Sequence, residues 1–466
     1  MAAVAVFDHG KTNLKLSAVA PDGTVLGAVS MPTPSRPGPP YRHVDLEAIE
    51  RWLLASLRGL GARHEIAAVV ATAHGSGCVL VDGAGPVLPM IDYEAELPAE
   101  VDAAYREIMP PFAVSGSGIL GGATHLARQL FWLESGWPEA LARARHLLPL
   151  PQYWAWRLSG VAALEATSLG AQSHFWDMRA GRLADFVAAR GWTRLMPPRR
   201  PAWDRLGPVT DAVRRETGLP SGTQVLCGIH DSSASFYRWQ RAGLGSFTLL
   251  STGTWIVGLR AGLPAEALDG TRSMTANLDV RGDPVACVLT MTGRERSILA
   301  GEDGGPADPA SLSALVASDT MALPSFVPFA GIFPGSAGHG RIAGPQPAEP
   351  QGRAALATLY AALVADACLD LLLAGEGTVV LDGGLLADPA FGSLVAALRP
   401  GAEVLVDVRG NGTTLGAALL WTHGGAGAGR DTLQAAIPAA IPGLSDYRDR
   451  WRAAAGHQAP EPVGTT

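Results

Sequence analysis

Short apolar runs alternate with polar turns from the start of the chain. Val4–Phe7, Leu14–Val19 and Thr24–Met31 are separated by Gly10-Lys11-Thr12-Asn13 and Pro21-Asp22-Gly23. Turn chemistry of that kind between apolar runs predicts a β-meander. After a proline-rich loop, Pro32 to Pro40, apolar positions recur at helical spacing from Asp45 to Leu60, with Asp45 as the N-cap. Ile66–Thr72 and Cys78–Val81 read as buried strands, and helical patterns dominate from Ala123 to Leu158 and near Leu183–Arg190. Val225–Ile229 reads as a strand ending at His230-Asp231, followed by a helix over Ser232–Arg238.

The second half repeats the opening. Ser246–Leu250, the turn Ser251-Thr252-Gly253-Thr254 and Trp255–Leu259 again spell strand, tight Gly/Thr turn, strand. A long helix over Arg353–Leu373, strands at Thr378–Leu381 and Val404–Val408, and a helix over Thr414–Thr422 follow. The pattern predicts a duplicated α/β fold with a boundary near 235–245: one domain over 1–238, a second over 239–440, and a loosely ordered tail over 441–466. A chain of 466 residues is long enough for two such cores.

Composition narrows the function. The net charge of −7, without a long basic run, argues against nucleic acid or an anionic membrane as partner. The nearest approach to a membrane span, Ala354 to Leu373, is interrupted by Asp366 and Asp370 and reads as a buried helix. The N-terminus enters a strand without a basic segment or a cleavage site. Cys78, Cys227, Cys287 and Cys368 lie far apart, as reduced core thiols of a cytoplasmic enzyme would.

Four short segments carry candidate chemistry. Asp8-His9-Gly10-Lys11-Thr12 is not a Walker A loop: Ala5 stands where that loop has glycine, and no helix follows. Asp8 at a strand end suits a hydrated Mg²⁺ and the 10–13 turn suits phosphate, although an ordinary hairpin would look the same. Asp231 is either the N-cap of the following helix or a general base. Asp382-Gly383-Gly384 suits backbone contact with a nucleotide or a tight turn. Thr72-Ala73-His74-Gly75 interrupts two apolar strands; His9, His125, His230 and His339 show no metal spacing and read as structural.

In this order the pieces resemble the FGGY family of carbohydrate kinases over roughly residues 3 to 425. The resemblance is carried by Asp8-x-Gly10-x-Thr12-x-x-Lys15, by His74-Gly75, by Leu147-Leu148-Pro149 through Tyr153 and Gly160, and by Gly228-x-x-Asp231. It extends through Ser251-Thr252-Gly253-Thr254-Trp255, Asp382-Gly383-Gly384 and Thr414–Leu419. It implies two ribonuclease-H-like domains of the actin and hexokinase type with a nucleotide cleft between them. It also implies ATP and Mg²⁺ as cofactors and a sugar as acceptor. Asp231 would take the hydroxyl proton, and Asp8 would hold Mg²⁺ through water. Gly10, Lys11, Thr12, Lys15, Gly253 and Thr254 would meet phosphate, with the N–H groups of Gly10 and Gly253 among the donors. Gly383 and Gly384 would line the adenosine pocket, and His74, Gly75, Asp92 and Glu94 would contact the sugar.

Departures from the family pattern fall mostly on the substrate side. Lys11 replaces a small hydroxyl residue, Thr72 a glutamine, Ile91-Asp92-Tyr93-Glu94 an aromatic-x-Asp motif, and Gln129 a lysine; the signature around Thr292–Arg296 is degenerate. Segments around His230–Ser235 look most like the rhamnulose and fuculose kinase branches, so a ketose or deoxyketose is expected, with xylulose-type sugars open. The competing expectation is a sugar- or nucleotide-binding protein of the same fold with weak or lost catalysis; a phosphohydrolase is a third. A surface of the C-terminal half could mediate a homodimer.

Overall fold

The first turn forms as its residues predict. In the computed structural model, which describes residues 2–301, 305–425, 427 and 429–456, the Gly10 N–H donates to the Asn13 carbonyl at 3.1 Å. This turn joins β1 (Ala3–His9) to β2 (Asn13–Val19). β3 (Val25–Pro32) completes the meander. α1 (Leu46–Gly61) begins at Asp45, whose carboxylate accepts the Ala48 N–H, and buries Leu46, Ile49, Leu53, Leu54, Leu57 and Leu60 on one stripe. β4 (Ile66–Ala73) then lies parallel to β1, so that Asp8 stands opposite Lys15 on one side and Thr72 on the other.

α2 (Leu150–Ser159), β5 (Arg205–Pro208), β6 (Gln224–Leu226), β7 (Ile229–His230) and α3 (Asp231–Arg241) complete the core of this first unit. The sheet order is β5-β6-β4-β1-β2-β3, with β7 pairing the far end of β4. β1 and β4 are buried almost throughout, as expected for apolar strands covered on both faces. The helical pattern expected over Ala123–Leu158 is broken by a strand, His146–Pro149, paired with Cys78–Val81. Four residues are too few for period to separate strand from helix, and the long-range partner decides.

The second unit repeats the plan with β8 (Phe247–Thr252), β9 (Ile256–Ala261), β10 (Pro284–Thr290), β11 (Gly377–Gly383), β12 (Ala402–Asp407) and β13 (Leu433–Ala435). Their order is β10-β9-β8-β11-β12-β13. β8 runs antiparallel to β9 and parallel to β11, which runs parallel to β12. α4 (Pro350–Leu371) is the only described helix long and apolar enough to cross a membrane, yet 89% of its most apolar window is buried inside the protein.

The tail expectation is corrected for residues 444–456. They form α5 (Leu444–Gly456), which buries Leu444, Tyr447, Trp451 and Ala455 at helical spacing. Trp451 Nε1 donates to the Ala322 carbonyl at 2.7 Å, and Arg452 pairs with Asp366 and Asp370 of α4. Residues 457–466 lie outside the described residues. The division into units is not a single cut. Contacts assign Met1–Gly243, Ala276–Pro284 and Asn411–Ala428 to the first, and Leu244–Thr275, Val285–Gly410 and Gly429–Thr466 to the second.

Candidate functional site

In the first unit the ends of β1, β4 and β7 lie side by side, because β1 and β7 both pair with β4 in parallel. Parallel strands that end together bring their terminal residues to one edge of the sheet, where α/β folds bind ligands. Asp8, His74 and Asp231 therefore converge. The Asp8 carboxyl is half-buried, and its pKa is raised to about 7 by burial first and by the charge of Asp231 second, with Lys15 opposing. The Lys15 ammonium faces Asp8 across the hairpin and hydrogen-bonds the Asn411 side-chain carbonyl.

Asp231 is not the helix cap. His230 occupies that position, and Asp231 is the first helical residue of α3. Its Oδ1 accepts the N–H of Ser232 at 2.5 Å and lies 3.1 Å from His230 Nε2. His230 Nδ1 is in turn 3.1 Å from Ser233 Oγ. Burial holds the His230 imidazole below its ordinary pKa against the pull of Asp231. The sequence reads His230 as structural, and its contacts with Asp231 and Ser233 carried no signal there beyond adjacency to Asp231.

His74 follows β4, its Nδ1 buried and without a hydrogen-bond partner among the described residues. Burial lowers its pKa, with Asp231 opposing and Lys11 assisting, so the imidazole is neutral at physiological pH. Gly75 is needed as glycine: a Cβ there would lie 2.5 Å from Ala171 Cβ and 3.3 Å from His230 Cδ2.

The Tyr93 ring packs against His74 at 5.2 Å, and the Lys11 ammonium sits 4.9 Å from the Tyr93 centroid. Lys11, grouped in the sequence with the phosphate turn, pairs instead with Asp92 and lies 3.4 Å from Glu94. Asp92 is buried, while Glu94 is exposed. Arg42 Nε lies 3.0 Å from Asp92, and Ser35 Oγ donates to the same carboxylate at 3.0 Å. Burial opposes ionisation of Asp92, but Lys11, the Glu94 N–H and Ser35 hold its pKa below the usual carboxylate range. Arg42 and Ser35 carried no sequence signal, since nothing in their spacing points to position 92.

Thr12 is exposed at the tip of the first turn. In the second unit Gly253 and Thr254 are exposed at the equivalent turn. Here the N–H of Gly253 donates to the Trp255 carbonyl at 2.8 Å. The N–H groups of Gly10 and Gly253 are thus engaged in closing their own turns, which corrects their expected use as phosphate donors. The Thr254 carbonyl accepts the Arg294 N–H at 3.2 Å, tying the turn to the helix Thr292–Ala300. Beneath it, Thr252 Oγ1 donates to the Asp382 carbonyl at 2.6 Å and Ser251 Oγ to the Asp382 carboxylate at 3.1 Å. Gly383 has φ +97°, and a Cβ there would lie 1.9 Å from the Thr252 carbonyl oxygen, so β8 and β11 approach this closely only with glycine. Gly384 follows at the start of a short 3₁₀ turn.

Among the described residues no three His, Cys, Asp or Glu side chains are grouped to hold a metal ion by themselves. A hydrated Mg²⁺ does not need such a cage, because it keeps most of its waters and uses one or two carboxylates. Asp8, whose acidity is weakened by burial first and by the charge of Asp231 second, has the hard-oxygen chemistry such a cation requires.

Comparison with known proteins gives consistent matches. A model of the N-terminal domain of the FGGY family of carbohydrate kinases matches residues 3–237, and one of the carbohydrate kinase FGGY C-terminal domain matches 244–429. The L-fuculokinase of Escherichia coli (strain K12) is 25% identical over 264 residues, 54% of this chain and 55% of that protein. The L-fuculokinase of Salmonella typhi is 26% identical over 273 residues, 56% of this chain and 57% of that protein. The chain thus spans about half the length of the curated relatives it matches. A carbohydrate kinase from Novosphingobium aromaticivorans has a similar structure, with a TM-score of 0.86 and 33% identity over 97% of this chain and 98% of that one. A xylulose kinase from Rhodospirillum rubrum shares the fold at a TM-score of 0.75 and 21% identity, covering 97% of each chain.

Proposed function

The chain belongs to the FGGY family of carbohydrate kinases, and from that premise we propose that it transfers the γ-phosphoryl group of Mg·ATP to a hydroxyl of a neutral sugar. A ketose or deoxyketose of the rhamnulose, fuculose or xylulose type is the substrate class favoured by the likeness to L-fuculokinases. The observation that carries the reading is the Asp8–Asp231 pair at one edge of the first sheet, with the His74, Lys11, Asp92 and Glu94 cluster beside it.

Each residue then has a defined task. Asp231 accepts the proton of the attacking hydroxyl, its carboxylate oriented by His230 and the Ser232 N–H. Neutral His74 and the charged groups of Lys11, Asp92 and Glu94 hydrogen-bond the sugar and aim that hydroxyl. Gly75 lets the His74 segment come close to His230. Asp8 would hold a hydrated cation, and Lys15 offsets the charge of the Asp8 carboxylate. Thr12 and Thr254 offer hydroxyls to phosphate, and Gly383 and Gly384 leave room for the adenosine. Bound Mg·ATP supplies the phosphoryl group and the charge neutralisation that its transfer requires.

The first unit in this reading carries the sugar and the base, and the second the nucleotide. The four free, buried cysteines support a reducing, cytoplasmic setting.

The test is ADP release with Mg·ATP across ketoses, deoxyketoses, aldoses and polyols, with a no-sugar control. Strong stimulation by one sugar is expected. ATP turnover without sugar would indicate a hydrolase, and binding of both ligands without turnover a protein of this fold that has lost transfer.

A further inference from the structure

Glu165 is fully buried, and no step above uses it. It precedes the helix Ala166–Gly170, and its Oε2 accepts the Ser168 N–H at 3.1 Å and the Thr167 hydroxyl at 2.6 Å. The ordinary explanation is a helix cap. A cap contributes only about 0.5–2 kcal/mol, and a neutral Ser, Thr or Asn supplies it equally well. Burying a carboxylate costs several kcal/mol unless it is fully paired. Glu165 is not: its Oε1 is buried without a hydrogen-bond partner among the described residues. Burial raises its pKa to about 7 despite the Thr167 and Ser168 donors. Capping five residues does not account for a charge held there.

Thr167 supplies the missing connection. Its hydroxyl oxygen accepts the backbone N–H of His230 at 3.0 Å. One hydroxyl thus donates to Glu165 and accepts from the residue that precedes Asp231. In its ionised form Glu165 only accepts, so the Thr167 proton then points to Glu165, which turns the oxygen lone pairs toward His230. A neutral amide could donate instead and reverse that direction. The Gly228–His230 segment, which leads into Asp231, is also held by its pairing with β4, by the Gly228 N–H on the Ala202 carbonyl at 3.2 Å and by Gln152 Nε2 on the Gly228 carbonyl at 3.4 Å, but among these only the Thr167 hydroxyl meets the His230 N–H.

We propose that Glu165 and Thr167 are positioning residues for Asp231, fixing the Ile229–His230 peptide that leads into Asp231 through a carboxylate–hydroxyl–amide relay; this rests on the kinase reading given above.

The test compares Thr167→Val, Thr167→Ser and Glu165→Gln in the full chain. Readouts are sugar-dependent ADP release, thermal midpoint, and the His230 amide signal in protein labelled with ¹⁵N-histidine. The chain has 11 histidines, few enough to resolve, and His230→Asn assigns the signal. Thr167→Val is expected to lower kcat by about ten- to a hundredfold, the scale of small misplacements of reacting groups. KM for sugar and for ATP should change less than about twofold, and the His230 amide should shift. Thr167→Ser should restore both kcat and the amide signal, and Glu165→Gln should fall between. Wild-type kcat in Thr167→Val, or an unmoved His230 amide, overturns the proposal. So does a loss of kcat that tracks the thermal midpoint and is not restored by Thr167→Ser. If wild-type protein shows no sugar-dependent turnover, the kinase reading fails, and the amide signal still decides whether the relay exists.

Discussion

Lys11 pairs with Asp92, 81 positions further along the chain, which draws a residue of the first turn toward the segment proposed above to meet the sugar. Beside them, Arg42 and Glu94 complete two cations matched to two carboxylates, a neutral arrangement suited to a neutral polyhydroxy ligand. Lys11→Met is therefore expected to raise KM for sugar by about tenfold or more while leaving KM for ATP within about twofold. Steady-state kinetics varying each substrate in turn checks this, and an effect confined to ATP would return Lys11 to the phosphate turn. Because Asp92 keeps Arg42 as partner, the stability loss should be moderate, about 1–2 kcal/mol by denaturant unfolding.

Asp231→Asn keeps the shape of the side chain and removes the proton acceptor. A general base contributes about 10²–10⁴-fold to rate, and kcat should fall within or beyond that range. ATP binding, measured by calorimetry, should be unchanged. Full turnover in this variant would remove Asp231 from the base role.

Asp8→Asn tests the carboxylate pair through stability. The folded-state pKa of Asp8 is raised from 3.8 to about 7, so the folded protein holds this proton more tightly than the unfolded chain does. The associated stability is complete below about pH 4 and is lost as pH rises to about 7. Asparagine stays neutral and avoids the loss. Asp8→Asn should therefore gain stability relative to wild type at pH 8 but not at pH 4, by on the order of 1–3 kcal/mol. Denaturant unfolding at the two pH values checks it. The same variant should lose transfer activity, so stability and activity should move in opposite directions.

Trp451→Ala should destabilise the second unit by about 3–5 kcal/mol, the cost of emptying a large buried aromatic site. Its ring lies fully buried against Phe333 and Tyr360 and its indole N–H is hydrogen-bonded. Thermal unfolding would show this directly. An unchanged midpoint would mean that α5 is peripheral.

What the sequence determined by itself is what short-range rules control. Asp45 and the apolar spacing after it specify α1, because a cap and a stripe of period 3.6 are both local. The Gly/Thr turns and flanking apolar strands specify both hairpins, since glycine and the adjoining polar residues set turn geometry without outside help. The order of these pieces identified the family. Elsewhere the local signal was ambiguous or misleading. His146–Pro149 becomes a strand because Cys78–Val81 offers an edge, and the polar-looking C-terminal stretch becomes α5 because α4 presents Asp366 and Asp370 to Arg452. Only the tertiary structure decided that Lys11 turns to Asp92, that His230 rather than Asp231 stands at the helix cap, and that Thr167 meets the His230 amide. The Lys11 and Thr167 choices depend on a partner far along the chain, Asp92 or His230, that no local rule supplies. The charge and hydrogen-bonding capacity of a side chain are written at its own position, but the group that satisfies them is set by which segments the fold brings together.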